Sequence, residues 1–100
     1  MQVKLGEKVF EAKQVRLEYG RNPEDLTRNL LMFYVYFDEA KTDFEELVAT
    51  VSDKTNLVNI TYIDNQAENI LREYQDVLKC TKTINSSNTE IELTLTKAQA

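Results

Sequence analysis

Eight consecutive residues, Leu30 to Phe37 (LLMFYVYF), are apolar or aromatic, and they hold four of the chain's nine aromatic side chains. A strand that is apolar on both faces cannot lie against water on either side. Something must cover both, and a chain of 100 residues offers few candidates. The polar break after this run leads into Thr42–Val51, where Thr42-Asp43-Phe44-Glu45 fits a capping box with Thr42 at the N-cap. Phe44, Leu47, Val48 and Val51 then recur at helical spacing. A helix of two to three turns is not stable alone, so it must dock on a sheet and take one face of the run.

The remaining pattern is strand-like. Val3, Leu5 and Val9, then Val15, Leu17 and Tyr19, place apolar residues at odd positions, with Gln14, Arg16 and Glu18 between them. Gly6-Glu7 marks a turn between two strands, and Gly20 to Asp25 ends the second. The doubly apolar strand spans Asn29 to Asp38, and a further strand spans Leu57 to Asp64, with Val58, Ile60 and Tyr62 on one face. Asn65 to Asn69 reads as a hairpin connection into Ile70–Tyr74, a segment whose Ile70, Leu71, Tyr74 and Leu78 also carry a helical phase. Val77–Ile84 follows, with Leu78, Cys80 and Ile84 in phase, and after the Asn85–Asn88 turn Thr89–Lys97 alternates most cleanly of all. The expected fold is a single α+β domain over residues 1–100, mainly β. It is a small antiparallel sandwich or open barrel of six to seven strands with one short helix over about residues 43–51.

Chemistry is sparse. The chain has no histidine, which removes the commonest general base and zinc ligand. Two glycines cannot build a glycine-rich phosphate loop. The acidic cluster Asp38, Glu39, Asp43, Glu45 and Glu46 lacks calcium-loop spacing and suits the first turn of a helix. Asp64 to Glu68 reads as a polar hairpin tip before a metal loop. Cys80, the one cysteine, excludes an intramolecular disulfide and reads as a small core residue. No catalytic, cofactor-binding or metal-binding residue is assigned, and the expectation is a non-enzyme. A net charge of −5 argues against nucleic acid and anionic lipid as partners. The apolar run is too short for a membrane span and the first residues lack a signal-peptide layout, so a cytoplasmic setting is expected.

Protein partners remain. Tyr and Phe concentrate at the centres of interfaces, which makes Phe33, Tyr34, Tyr36 and Phe37 candidates. Glu92 and Thr94 join them on the amphipathic strand Thr89–Lys97, the expected sheet edge for strand addition.

From Thr42 to Lys97 the order of elements adds a resemblance. The stretch TDFEELVATVSDKTNLVNITYIDNQAENILREYQDVLKC, closed by EIELTLTK, resembles small structural proteins of tailed phages and prophages of Gram-positive bacteria. The shared features are a short TxFEEL helix, an NLVNITYID strand, a tip and an REYQDVLKC strand. The resemblance implies a virion or tail-assembly component without catalytic residues, present in the host cytoplasm during assembly and then in the virion. It also implies protein contacts that extend to self-association into a ring. A standalone peptide- or ligand-binding β module is the alternative, and a carboxylate-only enzyme or calcium-dependent protein the second.

Overall fold

A computed structural model describes the backbone of residues 1–22, 25–72 and 76–96, and the side chains of these outside 20–30, 59 and 69–72. Seven strands and one helix follow in the order β1 (Gln2–Leu5), β2 (Lys8–Asn22), β3 (Asp25–Phe37), α1 (Phe44–Ser52), a 3-10 turn (Lys54–Leu57), β4 (Asn59–Asp64), β5 (Ala67–Arg72), β6 (Asp76–Ile84) and β7 (Thr89–Thr96). They form one antiparallel sheet ordered β5-β4-β1-β2-β3-β7-β6. This is the mainly-β α+β fold expected, with seven strands. The segment with two phases resolves as strand over 70–72; residues 73–75 lie outside the described ones.

Side-chain parity along β2 decides what is inside. The two-residue turn pairs Leu5 with Lys8 and Val3 with Phe10, so the buried face of β1 continues on the even residues of β2. Phe10 and Ala12 are buried, and Val9, expected inside, is 54% exposed. Between Ala12 and Gln14 the register against β3 slips by one residue. That bulge at Lys13 flips the parity. Val15 now faces Val35 and Leu17 faces Phe33, so the odd residues turn inward for the second half. Gly6 sits at φ +65, and a Cβ there would come within 2.5 Å of Asn56 Oδ1. The first turn therefore requires glycine.

In β3 the odd residues Phe33, Val35 and Phe37 are buried, while Met32, Tyr34 and Tyr36 are partly exposed. The inner residues of β1, β2, β3, β4 and β7 converge with Leu47 and Val51 of α1 and Leu57 on one core. Phe10 meets Phe37 edge-on at 5.8 Å between ring centroids.

The helix begins one residue later than expected. Asp43, not Thr42, is its N-cap, and Asp43 Oδ1 accepts from the N–H groups of Glu45 and Glu46. The carboxylate satisfies orphan donors directly, and Thr42 Oγ1 is left buried without a hydrogen-bond partner among the described residues. The docked face is also rotated from the expected stripe: Leu47, Thr50 and Val51 are buried, Phe44 packs partly against the core, and Val48 faces out. Asp53 ends α1 and caps the 3-10 turn, accepting from Thr55 N and Oγ1 at 3.0 and 2.7 Å. That turn absorbs Leu57 and Val58, so β4 starts at Asn59 and Val58 is exposed.

Candidate interaction surface

The registers of β2, β3, β7 and β6 lay out a grid on the side of the sheet away from the core. One row runs Gln14, Tyr36, Glu92, Thr81; the next Arg16, Tyr34, Thr94, Lys79; the third Glu18, Met32, Thr96, Asp76. Alternation along each strand puts every second residue here, and the inward partners of the same strands carry the core.

The grid is held by its own side chains. The Arg16 guanidinium lies 4.7 Å from the centre of the Tyr34 ring, a cation–π distance, and Arg16 Nε is 3.4 Å from Glu18 Oε2. Tyr34 Oη donates to Met32 Sδ at 3.4 Å. Lys79 Nζ reaches Glu92 Oε2 at 3.0 Å; that hydrogen bond, with the attraction of the same carboxylate, raises the lysine above its ordinary pKa. Thr94 and Thr96 are almost fully covered by these neighbours. Thr96 Oγ1 donates to Leu31 O at 3.3 Å, while Thr94 Oγ1 has no partner among the described residues.

The structure therefore divides the six candidate interface residues. Tyr34, Tyr36, Glu92 and Thr94 share the outer grid. Phe33 and Phe37 are 0% and 1% exposed and belong to the core, out of a partner's reach. The expected edge is also corrected: over Ile91–Thr96, β7 pairs with β3 on one side and β6 on the other, so that stretch has no free edge to offer. Arg16, Met32 and Lys79 were missed, because each enters the grid through a pairing register that a single segment does not display.

At one end of the grid a cleft of about 370 Å³ opens between Lys13, Arg16, Tyr36, Glu39 and Glu90. The Lys13–Glu39 ion pair bounds it, raising the lysine's pKa and lowering the carboxyl's through their hydrogen bond. A larger groove of about 740 Å³ separates the β1–β2 turn from the end of α1 and is spanned by Lys8 and Glu46 at 3.2 Å. The acidic cluster of the sequence is dispersed: Glu39 pairs with Lys13, Glu46 with Lys8, Asp43 caps α1, and Asp38 Oδ1 accepts from Ala40 N. Among the described residues no three His, Cys, Asp or Glu side chains gather as metal ligands would, and no helix is long and apolar enough to cross a membrane. Cys80 faces the core opposite Leu93, and burial pushes its thiol pKa up. What the surface offers is an aromatic and polar face on the outside of the sheet. Comparison with protein-family models, with curated proteins and with solved structures finds no match.

Proposed function

We propose that the chain is a non-catalytic structural or assembly component of a phage or prophage particle, acting through protein contacts made on the outer face of β2, β3, β7 and β6. The observation that carries the contact role is the placement of Tyr34 and Tyr36 side by side on a strand flanked by two others, on the side of the sheet opposite α1. Aromatic side chains on a rigid, half-exposed platform give large contact area at little entropic cost. The Arg16 and Lys79 heads beside them supply a polar rim. The resemblance over Thr42–Lys97 supplies the particle context.

Capture of the products of flanking genes by the whole chain tests the reading. A capsid, portal or tail protein should be retained, and Tyr34→Ala with Tyr36→Ala should weaken its capture at least about tenfold, the loss of a central hot spot. Neighbouring genes unrelated to particle assembly, or capture indifferent to both tyrosines, would sink it.

A further inference from the structure

β2 changes neighbours halfway along its length. β1 occupies one of its edges only as far as Glu11, closed by Ala12 N donating to Met1 O at 2.8 Å. From Gln14 to Tyr19 no strand among the described residues pairs with that edge, while β3 pairs in unbroken register on the other side. Regular backbone with unpaired N–H and C=O groups is a template for another strand. The opposite edge of the sheet is protected in the usual ways: β6 carries a bulge at Leu78 and exposed Lys79 and Lys82. The free stretch of β2 has no bulge, and its inner side shows Leu17 at 40% and Tyr19 at 73% exposure.

We infer that this edge pairs with the same edge of a second copy, antiparallel about a two-fold axis at Leu17. Opposed residues of an antiparallel pair share a face, and the sequence is self-complementary about that point alone. Centred on Leu17, Arg16 lies opposite Glu18 of the second copy, and Glu18 opposite its Arg16, both on the outer face. Val15 and Tyr19 face each other on the inner side, flanking the two leucines in one apolar row. Centring on Arg16 or Glu18 sets like charges against each other. Centring between residues sets the inner row of one copy against the outer row of the other. The Arg16–Glu18 contact within each chain, 3.4 Å with both side chains more than two-fifths exposed, is exchanged one for one, two contacts within chains becoming two between them. The interface deepens the contact role proposed above by naming a partner; it runs along the backbone edge of β2 and meets the tyrosine face through Arg16 and Glu18.

Light scattering on the whole chain at rising concentration should show the mass approach twice 11.6 kDa. Arg16→Glu and Glu18→Arg should each weaken the dimer by about tenfold or more, since each reversal acts at two symmetric positions. The two together should restore it, which separates pairing from misfolding. In a Cys80→Ser background, Leu17→Cys should oxidise readily to a linked dimer, the on-axis residues being within disulfide range, and Gln14→Cys should not. A chain that stays monomeric at millimolar concentration overturns the inference. So does a dimer that neither reversal changes, or a double reversal that stays folded and monomeric. A larger ring indifferent to these changes but lost on Tyr34→Ala would overturn the edge pairing and leave the tyrosine-face reading standing.

Discussion

Tyr62 of β4 stacks on Phe33 of β3 with ring centroids 5.8 Å apart and planes 29° from parallel, although β1 and β2 lie between their strands in the sheet. Two strands so separated can touch only if the sheet curls over on itself. The stack is thus the closure of the fold as well as a core contact. Tyr62→Ala should cost about 2 kcal/mol by chemical denaturation, below the ~3–5 kcal/mol of a fully buried aromatic, because Tyr62 is only partly covered.

Adjacent residues of β3 should answer a charge in opposite ways. Phe33→Asp places a carboxylate at 0% exposure within the apolar core, and the chain should be unfolded by circular dichroism. Tyr34→Asp lies beside Arg16 on the half-exposed face and should stay folded with a loss of about 1–2 kcal/mol. If both unfold it, the outer face is core in all but position.

Two of the hairpin turns differ in how well their residues suit them. Gly6 at φ +65 has Asn56 against it, so Gly6→Ala should destabilise by about 1–3 kcal/mol. In the β4–β5 turn Asn65 and Gln66 have φ of 49 and 70, which is a type I′ turn. Glutamine is poorly suited to its second position, and Gln66→Gly should raise stability by about 1 kcal/mol. A lower midpoint for that variant would contradict the turn assignment.

Asp53 carries a pH signature. The Thr55 hydroxyl and N–H hold its carboxyl below the usual aspartate value. Its contribution is fully present above the unfolded-state pKa and is lost as pH falls through the lower folded value. Thermal melts of wild type and Asp53→Asn should differ at neutral pH, start to approach each other only below the unfolded-state value of 3.8, and converge once the pH has passed the lower folded value. A gap that persists in acid would mean the carboxylate's charge is irrelevant.

Cys80 should react slowly. Its thiol is half-buried against the core with a raised pKa, and the thiolate is the nucleophile. Alkylation at pH 8 should be at least about tenfold slower than for free cysteine and should recover in denaturant. Rapid labelling of the folded chain would place the thiol at the surface.

How far the residues announce this architecture varies along the chain. Val3, Leu5, Ile91, Leu93 and Leu95 alternate with polar neighbours and are all buried, because a strand's period is local and a single segment carries it. Val9 and Val48 could not be placed that way. The first depends on the parity set by a two-residue turn, the second on how the helix is turned about its axis when it docks on the sheet. The interaction grid was half legible: Tyr34 and Tyr36 stood out by composition, whereas Arg16 and Lys79 reach them only through registers fixed by distant pairings. β7 misled for the same reason. Clean alternation reveals one wet face but carries no information about how many neighbours a strand has.

The bulge at Lys13 splices two hydrophobic phases into one strand. Loss of a single codon there would remove one residue in a hundred and leave the composition nearly untouched. It would also make Ala12 and Gln14 neighbours, still opposite Phe37 and Tyr36, so that Leu17 keeps facing Phe33 and only the local bend and twist of the bulge are lost. For this chain the bulge absorbs a one-residue deletion at that surface lysine, whereas one between Val15 and Tyr19, where the register against β3 is unbroken, would turn part of the strand over.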